Sequence, residues 1–130
     1  MKLLLDTCTI IWAISEPEKL SATAHGALTD PGAEISYSPL SCAELAWAAE
    51  LGRLQIDRHW KTWFRHYVGI NAWLETPIDL SIVEEAYSLP SPFHPDPVDR
   101  ILVATCRVKR LTLVTADRKI LEYPHVESLW

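Results

Sequence analysis

Asp6, Glu44, Asp99 and Asp117 lie far apart in the chain, yet each stands where an apolar strand-like segment ends or a helix-like segment begins. Acids at such junctions meet on one rim if the strands run parallel, because an open parallel sheet collects its functional groups beyond the carboxyl ends of its strands. Crowded carboxylates repel one another unless a cation lies among them, and hard oxygen donors select Mg²⁺ or Mn²⁺. The chemistry open to such a rim is metal-assisted hydrolysis, in which the ion polarises a phosphodiester, lowers the pKa of a bound water and neutralises the leaving oxygen. Asp6 and Asp99 are the first choices for direct metal ligands; Glu44 and Asp117 complete the metal environment or orient the attacking water. Thr7 and Thr115 place hydroxyls beside these acids, suited to hold a ligand carboxylate or touch phosphate. Arg100, next to Asp99, offers positive charge to phosphate or pairs with a neighbouring carboxylate.

Each acid also has a plainer role. Asp6 and Asp117 suit helix N-caps, and Glu44, three residues after Ser41, completes a capping box. Asp96 fits an N-cap with Pro97 at the first helical position, which leaves Asp99 in the first turn, where a negative charge suits the helix dipole. Helix caps need not share a rim; a metal site must.

The elements that would gather these residues alternate along the chain. Lys2–Leu5 reads as an apolar strand ending at Asp6-Thr7, and Thr9–Ile14 as a helix broken at Glu16-Pro17. Ser21 caps a helix towards Leu28, and Asp30-Pro31-Gly32 is a turn. Glu34–Ser38 is the second strand, ended by Pro39; Ser41-Cys42-Ala43-Glu44 opens an alanine-rich helix that stops at Gly52. Asp57–Val68 is a helix with Trp60, Trp63, Phe64 and Tyr67 at helical spacing, read as core in preference to an interface. Trp73–Thr76 is a short strand and Ser81–Leu89 a helix, with Ile82, Ala86 and Leu89 facing the core. A proline-dense irregular stretch, Pro90–Pro97, leads into a helix to about Lys109. Leu111–Thr115 is the clearest strand, a short helix opens at Ala116-Asp117-Arg118, and Val126–Trp130 is a final strand. Strands alternating with helices, and strands apolar on both faces, indicate an α/β/α sandwich with a mostly parallel sheet.

Composition bounds the rest. The 130 residues suit a single domain spanning 1–130, and 48% hydrophobic content with six tryptophans excludes disorder. No apolar run reaches the ~20 residues of a membrane span, and the leucines after Met1 stop at Asp6 without a cleavage site, so a cytoplasmic protein is expected. Cys8, Cys42 and Cys106 form no CxxC and read as buried free thiols. A net charge of −5 counts against an extended nucleic-acid surface, but acids that hold a cation account for part of it. His94, near the rim, reads as a solvated loop histidine in preference to a phosphate or metal contact, and Arg107, Lys109 and Arg110 as a basic cluster at a helix C-terminus, where positive charge is favoured.

Taken together, Leu3-Leu4-Leu5-Asp6-Thr7, Ser41-Cys42-Ala43-Glu44-Leu45, Asp96-Pro97-Val98-Asp99-Arg100-Ile101-Leu102-Val103-Ala104-Thr105 and Leu113-Val114-Thr115-Ala116-Asp117 resemble the PIN domain. The length and the Asp-Pro-x-Asp-Arg stretch are similar to the VapC-type toxins of type II toxin–antitoxin modules. The resemblance spans nearly the whole chain and rests on the ordered set of four acids. It implies a PIN-like three-layer α/β/α sandwich, Mg²⁺- or Mn²⁺-dependent endoribonuclease activity, a homodimer, and a cognate antitoxin partner. Its acidic quartet falls on Asp6, Glu44, Asp99 and Asp117, with Thr115 as the hydroxyl ahead of the last acid and Asp96 either reaching the site or only capping.

Three other functions are weighed against it. Phosphotransfer through an Asp6 nucleophile, as in haloacid-dehalogenase-like enzymes, needs Asp-x-Asp, and Cys8 stands at the second position. A receiver-like module needs a lysine at a late strand end, and Leu113–Asp117 has none. A non-catalytic PIN-fold module that binds nucleic acid is the remaining alternative; the full acidic set argues against it.

Overall fold

Three consecutive leucines set the architecture. In the computed structural model, which describes residues 1–90 and 93–130, β1 (Lys2–Leu5) buries Leu3, Leu4 and Leu5 completely. Successive strand side chains point to opposite faces. Leu3 and Leu5 accordingly enter one cluster with Ile10, Leu45, Trp63, Phe64 and Val68, while Leu4 enters another with Leu102, Val103, Cys106, Leu113, Ile120 and Tyr123. A strand covered on both sides has to be the middle of a three-layer sandwich. Each such leucine contributes about 1.5–3 kcal/mol by leaving water.

The sheet has five strands in the order β3-β2-β1-β4-β5, with β2 at Glu34–Tyr37, β3 at Leu74–Glu75, β4 at Thr112–Val114 and β5 at Ser128–Leu129. Every pairing is parallel, and β1 lies between β2 (Leu5 beside Tyr37) and β4 (Leu5 beside Val114). The carboxyl ends of all five strands therefore share one edge.

On one face lie α1 (Thr7–Ser15), α2 (Ala22–Thr29), α3 (Pro39–Glu50) and α4 (Trp60–Ile70); on the other lie α6 (Pro97–Lys109) and α7 (Arg118–Leu121). The short α5 (Leu80–Ala86) packs outside α6 through Ile82 and Ala86 against Ile101 and Ala104. On α4, Trp63 and Phe64 are buried, with Trp60 and Tyr67 packed against the same cluster, so the aromatic face is core, as read from its spacing.

Several boundaries differ from the sequence reading. The helix after β2 begins at Pro39, capped by the Ser38 hydroxyl, so Ser41 sits inside it and no capping box forms with Glu44. Proline at the first helical position closed one element and opened the next. Helix α4 starts at Trp60, not Asp57, because His59 accepts the Lys61 N–H as its cap. A single 3₁₀ turn (Pro17–Lys19) follows the break at Pro17. Within Pro90–Pro97, Ser91 and Pro92 lie outside the described residues. Among the described residues no helix is long and apolar enough to cross a membrane.

Candidate active site

Every acid singled out in the sequence reaches the carboxyl edge of the sheet by one of two routes. Asp6 follows β1 directly and caps α1, its Oδ1 accepting the Thr9 N–H at 2.8 Å. Asp117 follows β4 and caps α7, its Oδ1 accepting the Lys119 N–H at 2.8 Å. Asp96 caps α6, taking the N–H groups of Val98 and Asp99 on one oxygen at 2.9 and 3.1 Å, and this carries Asp99 in on the first turn. Glu44 arrives differently, from the second turn of α3, where its side chain has no capping duty.

Asp6, Glu44, Asp99 and Asp117 line one cleft of about 470 Å³, together with Thr7, Cys8, Ile11, Trp12 and Ala48. A wider recess beside it is lined by His94, Asp96, Asp99, Asp117 and Lys119. Two threonines wire the acids together. Buried Thr115 donates from Oγ1 to Asp6 Oδ2 at 2.5 Å and accepts the Asp117 N–H at 3.0 Å, so one hydroxyl sets the spacing of two acids. Thr7 donates to Glu44 Oε1, and its hydroxyl lies 3.1 Å from that of buried Ser41.

The electrostatics follow from this crowding. Burial, before all else, raises the Asp6 carboxyl above its ordinary range, against hydrogen bonds from Thr115 and Thr9 that lower it, with nearby Asp117 adding to the rise. Burial likewise raises Glu44, with Asp96 and Asp6 contributing, while the Thr7 hydroxyl pulls the other way. Asp99 is pushed up to about 7, first by burial and then by Asp96, Asp117, Glu44 and Asp6 in turn. A cleft whose carboxylates raise one another's pKa is one that a divalent cation relieves. The donor set fits a hard divalent ion: carboxylate oxygens on rigid helix starts, with His94, Asp99 and Asp117 each offering a ligand atom within 4.8 Å of the others.

Other residues fall elsewhere than expected. Arg100 reaches neither phosphate-facing space nor a carboxylate; its Nη1 donates to the Ala86 carbonyl (3.1 Å) and its Nη2 to the Phe93 carbonyl (3.3 Å). Cys8 is exposed at the cleft and not buried, because the helix begins one residue after Asp6; its thiol is pushed up to about 11 by partial burial and the surrounding acids. Cys106 is buried and Cys42 half-buried. Arg107 donates to the His125 carbonyl (2.6 Å) and faces Glu85, and Lys109 pairs with Asp79, so two members of the basic cluster serve packing around α6. His94 is not a solvated loop residue: its side chain is 16% exposed and its Nε2 lies 3.2 Å from Asp99 Oδ2. Lys119 was passed over in the sequence; the only hint was its place two residues after Asp117.

Comparison with known proteins agrees with this arrangement. Residues 3–126 match the PIN domain family. Over 128 residues the chain is 34% identical to Ribonuclease VapC22 of Mycobacterium tuberculosis, covering 94% of this chain and 92% of that protein. Among solved structures, the fold resembles a chain in VapBC2 from Rickettsia felis bound to a DNA fragment from their promoter, with a TM-score of 0.72 at 14% identity over 100% of this chain and 99% of that one. It also resembles a chain of FitAcB from Neisseria gonorrhoeae, with a TM-score of 0.69 at 17% identity over 98% and 96% of the two chains. An all-parallel sheet with its acids on one rim, matched from one end to the other at family level, leaves one assignment: the chain belongs to the PIN domain family.

Proposed function

We propose that this chain is a metal-dependent endoribonuclease, the toxin component of a type II toxin–antitoxin system, that hydrolyses RNA phosphodiester bonds in the cytoplasm. The observation that carries the reading is the meeting of Asp6, Glu44, Asp99 and Asp117 in a single cleft from four separate elements. The 34% identity to a protein named as a ribonuclease supports the substrate class.

Asp6 and Asp99 would hold Mg²⁺ or Mn²⁺, with Asp117 and Glu44 completing its surroundings. Such an ion supplies Lewis-acid polarisation of the phosphodiester and a more acidic water. The chain's own residues do the rest. Thr115 fixes the Asp6 carboxylate by donating to Oδ2, and the Thr9 N–H fixes Oδ1, so neither rotamer nor position has to be reorganised during turnover. Glu44, steadied by Thr7, is placed to accept a proton from the attacking water, and its raised pKa suits that task. Lys119 on the rim of the His94–Asp117 recess offers a positive side chain to the incoming phosphate.

The partners that fit are RNA, a cognate antitoxin and a second copy of the chain. Trp47, 69% exposed and one turn beyond Glu44 on α3, supports the docking of an apolar protein segment beside the cleft. Leu80 and Val83, exposed on α5, and exposed Tyr87 at its C-cap support self-association. The test of the activity is incubation with structured RNA and Mg²⁺ or Mn²⁺, with and without chelator. Cleavage that stops with chelator and in Asp6→Asn is expected; cleavage that survives both overturns the reading, and RNA binding without any cleavage establishes the non-catalytic module instead.

A further inference from the structure

His94 stands outside the acidic quartet, yet it is held against it more firmly than a loop residue needs to be. The peptide carrying it is pinned from behind by Arg100, which bonds the Phe93 carbonyl and ties that segment to the end of α5 through the Ala86 carbonyl. The Phe93 ring packs between His94 (4.4 Å between centroids) and buried Tyr123 (4.6 Å). Tyr123 in turn donates its hydroxyl to the Pro90 carbonyl. This scaffold turns the imidazole edge inward to the acids.

The inward nitrogen is poorly satisfied by the protein itself. His94 Nε2 is buried and lies 3.2 Å from Asp99 Oδ2, but the contact lacks hydrogen-bond geometry and the atom has no partner. A buried polar atom without a partner is destabilising and calls for an explanation. The separation is informative. Two adjacent donors on an octahedral ion with bonds of about 2.1 Å stand about 3.0 Å apart. His94, Asp99 and Asp117 all offer donor atoms within 4.8 Å of one another, a spacing that adjacent and opposite positions around one ion both satisfy.

We propose that His94 supplies a nitrogen ligand, alongside Asp99 and Asp117, to the divalent cation of the cleft, and that this nitrogen tilts the site from Mg²⁺ towards first-row transition ions such as Mn²⁺ and Co²⁺. The inference rests on the metal-site reading above and adds to it a donor that is not an acid. Mg²⁺ favours an all-oxygen shell and gains little from imidazole, whereas affinity for mixed nitrogen and oxygen sites rises from Mn²⁺ to Co²⁺. Arg100 is then a positioning residue: it holds the backbone from which His94 reaches the ion.

The experiment is pulsed electron paramagnetic resonance on Mn²⁺ bound to the full chain, together with calorimetric titration of Mg²⁺, Mn²⁺ and Co²⁺. Wild type is expected to show ¹⁴N modulation that becomes ¹⁵N modulation on ¹⁵N-histidine labelling and disappears in His94→Ala. His94→Gln keeps side-chain bulk and controls for collapse of the loop, with melting temperature checking that both variants are folded. The ratio of Mn²⁺ to Mg²⁺ affinity is expected to fall about tenfold in both variants, with Mg²⁺ binding changed by less than about threefold. Nitrogen modulation that persists in His94→Ala overturns the proposal. Mn²⁺ bound by wild type without nitrogen coupling, in protein that still cleaves RNA, overturns the proposal and leaves the nuclease reading standing. Absence of Mn²⁺ binding overturns both.

Discussion

Replacing Asp99 by Asn removes one charge from the acidic cleft while keeping the side chain's shape, and the consequence for stability has a definite sign. The folded, metal-free protein holds the Asp99 proton up to about pH 7, whereas the unfolded chain releases it near 3.8. Between those values the folded state binds a proton that the unfolded state lacks, so stability falls as pH rises, and by pH 8 the whole cost is present. Raised Asp6 and Glu44 act in the same direction. A rise from 3.8 to about 7 corresponds to a ceiling of about 4 kcal/mol at 1.36 kcal/mol per unit. The Asp99 side chain is 24% exposed, so solvent and salt screen part of this. Asn also forfeits about 0.5 kcal/mol of favourable charge–dipole interaction in the first turn of α6. The expected net gain for Asp99→Asn at pH 8 without metal is about 1–2 kcal/mol, or roughly 3–8 °C in melting temperature for a domain of this size. At pH 5, only about 1.2 pH units above the unfolded value, the gain should shrink to roughly a third of this. Saturating Mn²⁺ should reverse the ranking at pH 8, because the cation stabilises the wild-type carboxylate and not the amide. Thermal melts at both pH values, with chelator and with Mn²⁺, measure all of this. A wild type whose metal-free stability rises relative to Asp99→Asn between pH 5 and pH 8 refutes the argument.

Three further perturbations separate the parts of the site. Thr115→Val keeps shape but strips Asp6 Oδ2 of its donor and the Asp117 N–H of its acceptor, so denaturant melts should show a loss of about 1–3 kcal/mol and RNA cleavage should fall with it. Glu44→Gln should leave metal-free stability within about 1 kcal/mol, since Glu44 caps nothing, while lowering cleavage about 100-fold or more in a single-turnover assay. Arg110 ends α6 in the left-handed region at φ 58°, where only glycine is free of strain, so Arg110→Gly should raise stability by about 0.5–1 kcal/mol in urea titration and leave cleavage unchanged.

Much of this was legible in the residues because period and punctuation agreed. Three leucines followed by Asp-Thr marked the central strand, and Asp96-Pro97 marked the start of α6 to the residue. The expected Leu111–Thr115 strand overlaps β4 at Thr112–Val114, and its flanking residues Leu111 and Thr115 are both buried. The failures share a cause, which is that local signals were read without the tertiary partner that decides between them. Ser41 looked like a cap because a glutamate follows three residues on; the fold uses its hydroxyl against Thr7 instead, and Ser38 does the capping. Arg100 looked like a phosphate ligand or the partner of a neighbouring carboxylate because it adjoins Asp99, yet on a helix adjacent residues diverge by about 100°, and the guanidinium is drawn to the carbonyls of Ala86 and Phe93. His94 looked solvated because it lies among prolines; only the Phe93–Tyr123 packing shows what holds it.

The sequence posed capping and metal binding as rival explanations of the same acids, and the geometry removes the rivalry. A carboxylate has two oxygens, and a helix cap occupies one. Asp117 gives Oδ1 to α7 and Asp96 gives Oδ1 to α6, so each retains a second oxygen, while Asp6, whose Oδ1 caps α1 and whose Oδ2 accepts from Thr115, retains a second lone pair on each oxygen. The caps also explain how the fold tolerates the crowding. The positive ends of three helices meet at the rim, and each offsets part of the repulsion among the acids by about 0.3–1 kcal/mol. A parallel sheet starts its helices where its strands end, so the elements that concentrate negative charge also supply the dipoles that make it bearable. Glu44 is the exception: it receives no cap-derived support, depends on the Thr7 hydroxyl instead, and is therefore the acid whose presence the fold itself least requires.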